Sequence, residues 1–507
     1  MSRIYSEKIN GQNQASVYLH YKANKNGLII AIMLLLAAIS LFFIKTDYFG
    51  LIKVHIYGEE FELTCALSSL LMLGLILFSL NNNRRIDWFE PPIWYFIYTF
   101  SQVIMNVWLL QRDRQTNIPW LVMDTGSKMT LAVILFDVGL VSICLGYFIS
   151  KRIHLGNTKI VKSKMALNFS LTIAIWFVTW IIGIISALSG VGGYQTAGTI
   201  FSVGWENYFY FISLINIIAT SALILHVSRH PTRIGWIWLG VVFLTVLILS
   251  VFVGSKRFAI NFIWLFMALY YGLHKFPIKL AIIGILLIVT FVPVVNNYRE
   301  VINSNLPNKD ISLGSSIAYR VSALNKALGM TFSQPIEYFL SNTTDTYKDR
   351  QAGLLDISAS VLSIHPDKVP FVGLEMLNDF FPQLIPRLFW PSKSITRSPL
   401  MMITMTYGGA SSEYSFSSIG IIADAYRAGG WLFVIFFCGL LGAFLQRVYS
   451  KAIEVSNPAY TSLYIVLLSV VLIDREVSTI LINLIQFGLL LWLITFKILY
   501  RRTIKSN

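Results

Sequence analysis

Charge is scarce in this sequence. Only 13% of its 507 residues are Asp, Glu, Lys or Arg, against roughly 25% in a soluble domain. Acid is scarcer than base, with 25 Asp and Glu against 40 Lys and Arg. Cysteine is nearly absent. Cys65, Cys144 and Cys438 each lie inside an apolar run, which excludes a disulfide framework or a Cys-x-x-Cys metal site. The seven histidines are scattered, which argues against a His/Cys metal cluster. No soluble multidomain enzyme fits this composition.

Hydrophobic residues fill the gap. They make up 55% of the chain, at a mean hydropathy of +0.65. They come in runs of about 18 to 24 residues, long enough to cross a hydrocarbon core of roughly 30 Å as helices. The runs are continuous and do not alternate, so helices are expected and a barrel is not. About twelve spans are predicted, near 27–44, 61–80, 91–110, 129–150, 166–188, 208–227, 236–253, 259–274, 280–295, 431–449, 459–473 and 477–498. Lys45 and Asp47 follow the first run, with no small-residue cleavage site, so it reads as a retained helix.

The fold class expected is an all-α polytopic membrane protein. Residues 1–26 form an inner N-terminal segment, 27–295 hold spans one to nine, 296–430 form one large outward loop, 431–498 hold spans ten to twelve, and 499–507 form an inner tail. With the N-terminus inside, inner segments carry 21 of the 40 basic residues, short outer loops 8 and the long loop 11. Long loops are exempt from the positive-inside rule, so 21 against 8 decides the orientation. The net charge of +15 follows mostly from that bias and calls for no nucleic acid.

The segment 296–430 is too long for a connector and too apolar for a disordered linker. "SSIAYRVSALNKALGM" and "GLLDISASVLSI" have helical spacing, which suits helices on or dipping into the membrane face. "SSIGIIADAYRAGG" is expected to run as a helix straight into the tenth span. Cations sit singly in apolar or aromatic settings: Arg299, Arg320, Arg350, Arg387, Lys393 and Arg427. Lys256, Arg257 and Arg475 are expected on the same side. Guanidinium groups bind phosphate bidentately and stay charged at any working pH. Several converging at a membrane face would hold a lipid-linked diphosphate without a metal. Pro386 and Pro391 fix where Arg387 points, and Phe389 and Trp390 suit the headgroup level. Any one of these arginines could instead snorkel, or pair with an acid such as Glu300, Asp349 or Asp424. Asp137 is the one carboxylate near a membrane centre, with a functional or a hydrogen-bonded structural role equally open.

"IPRLFWPSKS" resembles the Pro-Arg-x-x-Trp-Pro-x-Lys element of the Wzy-type oligosaccharide repeat-unit polymerases. Ser394 stands where that family commonly has proline. "SSEYSFSSIGIIADAYRAGG" resembles the family's downstream segment of small polar residues, a carboxylate and a Gly-rich helix start. The span number and the large late loop also match. The resemblance implies a glycosyltransferase-C-like fold in the bacterial inner membrane, with a periplasmic loop and both termini cytoplasmic. It implies an undecaprenyl-diphosphate-linked oligosaccharide as substrate, no cofactor and no metal. A chain-length regulator and a flippase are the implied partners. The reaction would build O-antigen or a related surface polysaccharide.

On that reading, Arg387 and Arg427 stabilise the departing diphosphate together with Lys256, Arg257, Arg299, Arg320, Arg350 and Lys393. Glu413 is the first choice of base, with Asp349 and Asp356 as substitutes. The segment 296–430 has no Asp-x-Asp motif, no Gly-rich phosphate loop and no Rossmann signature. Three other readings stay open: an O-antigen ligase, a glycosyltransferase using Asp47, Glu59 or Glu60, and a flippase or transporter of the lipid-linked unit.

Overall fold

A computed structural model of the chain describes residues 67–68, 74, 87–99, 125–154, 165–189, 206–253, 257–273, 278–304, 313–377, 390, 419–454, 457–471 and 477–502. The described part is mostly helical. In chain order it contains α1 (Pro91–Thr99), α2 (Thr125–His154), β1 (Met165–Leu167), α3 (Phe169–Ser189), α4 (Glu206–Arg229), α5 (Arg233–Val253), α6 (Arg257–Leu273), α7 (Ile278–Ser304), α8 (Leu313–Phe332) and α9 (Ile336–Ile364). After a 3-10 turn (Gly373–Leu377) come α10 (Ile421–Tyr449), α11 (Pro458–Val470), α12 (Val477–Leu493) and β2 (Tyr500–Arg502).

Among the described residues, six stretches are long and apolar enough to cross a membrane: Lys128–Ile153, Phe169–Ala187, Phe211–Arg229, Ile282–Ile302, Ile421–Ile453 and Ile480–Leu499. Each overlaps an expected span. Arg233–Val246, Ile263–Leu273 and Pro458–Leu468 are shorter apolar helices over three more. The expected spans 27–44 and 61–80, and most of 91–110, fall almost wholly outside the described residues. Many large side chains on the described helices face outward, among them Ile153, Ile237, Leu432 and Phe436. That suits a bilayer and would be a liability in water.

Two sequence expectations are modified. The ninth span was expected to end at 295, but α7 continues unbroken to Ser304. Its polar extension is held by α8 and α9: Asn297 donates to Thr331 Oγ1 at 2.9 Å and accepts from Tyr338 Oη at 3.1 Å. The helix expected to run straight into the tenth span instead breaks at Gly429–Gly430. Gly430 has φ +69, a left-handed conformation that favours glycine. The ring of Phe371 packs where a Cβ on Gly430 would sit, 3.0 Å from that position.

The bundle is organised on the α2–α10 contact, its most extensive interface. Gly139, Ser142, Gly146 and Ser150 give α2 a small-residue stripe at helical spacing. In lipid, where tails are as apolar as leucine, helices associate by close packing of such residues. A Cβ on Gly146 would collide with the carbonyl of Gly439, and one on Gly442 with the carbonyl of Ile143. Ser150 donates toward the carbonyl of Ala443 at 3.2 Å and Gln446 Oε1 at 3.1 Å. The apolar core grows from this pair through Phe136, Ile143, Val434 and Leu445.

One end of the bundle is closed by backbone pairing and a polar hub. β1 and β2 pair antiparallel, with Met165 opposite Arg502 and Leu167 opposite Tyr500. The turn before α1 enters this end. Asp87 accepts from Tyr449 Oη at 2.8 Å, from Tyr271 Oη at 3.1 Å and from the Phe89 amide at 3.0 Å. Glu90 accepts from Tyr147 Oη at 2.7 Å and pairs with Lys151 at 3.3 Å. Tyr464 donates to the carbonyl of Phe89. Three helices thus donate to the two carboxylates, and a fourth, α11, holds the turn that carries them. Burial pushes Asp87 up to about 6, against the pull of its three donors.

Two predictions follow from the packing and the hub. Gly146→Ala or Gly442→Ala lowers the melting midpoint in detergent, the direction expected of overpacking, which costs roughly 1–3 kcal/mol. Gly240→Ala and Gly488→Ala, where a Cβ meets nothing within 4 Å, leave it unchanged or raise it. The second concerns pH. Asp87 binds a proton more tightly folded than unfolded, so its contribution to stability is greatest below its ordinary value of 3.8 and is lost as pH rises to about 6. The midpoint should fall between about pH 4 and 6, and Asp87→Asn should flatten that slope.

Candidate functional site

The described part of the segment 296–430 forms two polar centres, each built on different helices. The first lies where α7 and α8 pack as an antiparallel pair around Tyr298, Val301, Ile302, Ala323 and Ala327. Arg320, on α8, is 4% exposed, and its Nη1 has no hydrogen-bond partner. It lies beside the fully buried phenol of Tyr298, whose hydroxyl makes polar contact with the guanidinium. Tyr319 is anchored to the carbonyls of Val301 and Ile302 at 3.3 and 3.0 Å. No carboxylate pairs with Arg320 among the described residues. A buried guanidinium with an unused N–H normally costs about 1–3 kcal/mol or more, and an oxyanion is the group that would relieve it. Arg299 lies on α7 next to Tyr298, half-buried and engaged by neighbours.

The second centre sits in the main core, where α2, α9 and α10 meet. Arg427 donates through Nε and Nη2 to Asp424 Oδ1 at 3.0 and 2.9 Å. Asp424 is fully buried and accepts from the Val477 amide at 2.9 Å through its other oxygen. The pair is the i,i+3 partnership that the sequence left open as an alternative, and it ties the start of α10 to the start of α12. Arg427 therefore already has an acid, and a ligand would meet only the part of the guanidinium that Asp424 does not use. The Arg427 carbonyl accepts from the Val372 amide at 3.1 Å, which fastens the chain after α9 to this point.

His365 lies beside Arg427, and sequence reasoning missed it. It is 3% exposed, and its Nδ1 lies 3.0 Å from the Val369 carbonyl and 3.2 Å from the Pro370 carbonyl. Both are acceptors, so Nδ1 carries the proton and Nε2 the lone pair. Its ring stacks on Phe371, and Tyr426 packs edge-on against Phe371. Burial, with a smaller effect from Arg427, lowers the imidazole below its ordinary range despite the two carbonyls. A neutral His365 can take a proton at Nε2. The one available signal was that it is the single histidine in the segment 296–430. Lys128, at the start of α2, reaches the Leu362 carbonyl at 3.4 Å and Asp367 at 4.0 Å.

The remaining candidates are distributed as follows. Arg257 opens α6 and Arg350 lies within α9, as do Asp349 and Asp356, with their side chains outside the described set. Glu413, Arg387, Lys393 and Lys256 lie outside the described residues, as do Arg475, Asp47, Glu59 and Glu60. Trp390 is exposed. Asp137 accepts from Ser68 Oγ at 2.6 Å.

The model of a family described as a domain of unknown function, DUF8712, matches residues 128–506. That covers both centres and every helix from α2 onward. The chain belongs to the DUF8712 family. No curated protein and no solved structure matches it. Within the DUF8712 region, α9 joins the two centres: its first residues pack on the α7–α8 pair, and His365 follows its last turn.

The Arg427–Asp424 pair makes a stability prediction. Asp424→Ala leaves a buried cation uncompensated and should cost about 3–5 kcal/mol. Adding Arg427→Met should recover a large part of that loss, measured by thermal unfolding in detergent.

Proposed function

We propose that this protein is a membrane glycosyltransferase that polymerises lipid-diphosphate-linked oligosaccharide repeat units. In this reading about twelve helices span the bacterial inner membrane, both termini are cytoplasmic, and residues 296–430 work on the periplasmic side of a glycosyltransferase-C-like bundle. The antiparallel pairing of the segment before α3 with the last residues of α12's extension supports one part of that topology, because both segments are strongly basic and lie at the same end.

The observation that carries the proposal is Arg320. Its buried guanidinium, with Nη1 unused beside the Tyr298 phenol, lies against the end of the span Ile282–Ile302. That is the depth at which a lipid-linked diphosphate presents its oxygens. A preorganised N–H-rich centre suits a reaction whose leaving group gains charge, because such donors act where charge develops. Arg299 joins Arg320 in this role, while Arg427, at the other end of the 29-residue α9 and so about 40 Å along it, contacts a different part of the substrate; Arg257, Arg350, Arg387, Lys256 and Lys393 are the further phosphate ligands of the sequence reading. The acceptor hydroxyl needs a base. Glu413 fills that role from the sequence reading; His365, beyond the far end of the 29-residue α9, lies too far from Arg320 to do so.

A strain lacking the gene should carry surface glycan as single repeat units, without a ladder on gels. Wild-type protein should restore the ladder. Arg320→Ala should cut polymer formation by about 10²–10³-fold at unchanged protein level, and Arg320→Lys should lie between. Purified protein should lengthen undecaprenyl-diphosphate-linked repeats without a lipid A acceptor. A normal ladder from Arg320→Ala would remove that residue from the site, and complete loss of the repeat unit in the deletion strain would point to ligation or transport instead.

A further inference from the structure

The centre at Arg427 carries no net charge, and that limits what it can hold. Asp424 accepts from Arg427 Nε and Nη2 at 3.0 and 2.9 Å, and the Val477 amide completes its other oxygen. His365 adds no charge. Its Nδ1 donates toward the Val369 and Pro370 carbonyls, and burial holds the imidazole below its ordinary range. At the rim, Lys128 faces Asp367 at 4.0 Å. Two polar atoms are left over. Arg427 Nη1 is a donor and His365 Nε2 an acceptor. Neither makes a hydrogen bond among the described residues, and neither is sealed from solvent. Their side chains are otherwise buried, at 7% and 3% exposure. Each is anchored through its other nitrogens, so neither can turn away.

Aromatic rings flank this donor and acceptor. Phe371 stacks on the His365 imidazole, with ring centroids 6.4 Å apart and planes 11° from parallel. It still keeps 37% of its surface exposed. Tyr426 meets Phe371 edge-on at 5.6 Å, and Trp431 meets Tyr426 edge-on at 5.5 Å. The platform is held from two sides. Tyr426 Oη donates to the His365 carbonyl at 3.5 Å, and the Val372 amide donates to the Arg427 carbonyl at 3.1 Å. The break at Gly429–Gly430 leaves room for the Phe371 ring. One fixed turn therefore carries the ring, the lone pair and the tie to the guanidinium.

Charge and polarity decide the ligand class. A phosphate or carboxylate would meet the His365 lone pair and a guanidinium whose charge Asp424 already cancels. A metal ion would meet the guanidinium. An apolar chain would leave both polar atoms unpaired, which is unfavourable. A neutral polyol has no such conflict, because a hydroxyl both donates and accepts. The C–H face of a sugar ring also suits the negative face of an aromatic ring. We infer that the centre at Arg427 binds a neutral sugar residue. One hydroxyl donates to His365 Nε2, an adjacent one accepts from Arg427 Nη1, and the C–H face of the ring covers the exposed side of Phe371. The sugar class rests on this centre alone. That the sugar belongs to a growing glycan, held here away from the diphosphate at Arg320, rests on the polymerase reading.

The test uses the full-length protein in bilayer discs free of sugar detergents, its histidines labelled with the heavy nitrogen isotope. Of the seven histidines, His365 gives the Nε2 resonance that is lost in His365→Gln. The probes are free neutral disaccharides of hexoses and N-acetylhexosamines, a disaccharide containing a hexuronate, and inorganic diphosphate. A neutral disaccharide should move the His365 Nε2 resonance upfield, as a lone pair does on accepting a hydrogen bond. The hexuronate and diphosphate should neither move it nor compete. Phe371→Ala, changed at an exposed position, should weaken binding of the neutral sugar by about fivefold. No shift with any neutral disaccharide overturns the inference, as does an equal response to diphosphate, or sugar binding unchanged in Phe371→Ala. If His365→Gln does not fold, saturation transfer from protein to sugar in wild type and Phe371→Ala still decides. A deletion strain with single repeat units, and no sugar bound here, would remove the subsite and keep the polymerase. A sugar bound here, in a protein whose deletion abolishes the repeat unit, would do the reverse.

Discussion

The contact on which the structure depends is backbone against backbone. α2 and α10 approach so closely at Gly146–Gly439 and Gly442–Ile143 that a methyl group at either glycine would strike a carbonyl. In a bilayer little apolar driving force holds two helices together, so contact distance decides whether they associate. α2 is 30 residues long, about 45 Å, and it carries a polar group at each end. Lys128 reaches the chain after α9, and Lys151 reaches Glu90. Fixing α2 against α10 therefore fixes the spacing between the centre at Arg427 and the hub at Asp87.

The two polar ends are built on different physics. At the hub, phenols surround carboxylates, and neutral donors share the charge of Asp87 without cancelling it. At Arg427 a full ion pair is sealed in the core, with an amide of α12 completing the carboxylate. A sealed pair of this kind is poor evidence for stability gained, since desolvation offsets most of the attraction. It does specify geometry, because neither partner can move without exposing the other. Arg320 differs from both. Its charge is buried with no described acid, which is why the proposed function rests on it more than on Arg427.

Much of the helical layout was legible in the sequence, because long apolar runs report it directly. The runs at 129–150, 166–188 and 208–227 reappear within a few residues as spans. Hydropathy placed the end of α7 too early. Asn296, Asn297 and Arg299 end the apolar run, yet hydrogen bonds from α8 and α9 carry the helix on to Ser304. The break at Gly429–Gly430 was also missed, since its cause is the ring of Phe371, distant in sequence. The i,i+3 spacing of Asp424 and Arg427 was readable, but not the third partner at Val477. The hub could not be read at all. Its tyrosines come from α2, α6, α10 and α11, and no local pattern links them to Asp87. His365 carried no signal beyond its isolation, because its tautomer is set by carbonyls that only the turn brings near.

The two-stranded sheet has a consequence for biogenesis. β1 precedes α3, but its partner β2 follows α12 in the chain. The entrance to α3 must therefore stay unlatched through synthesis of every later helix. Until β2 arrives, the amide and carbonyl groups of β1 lack the partners that the finished sheet gives them.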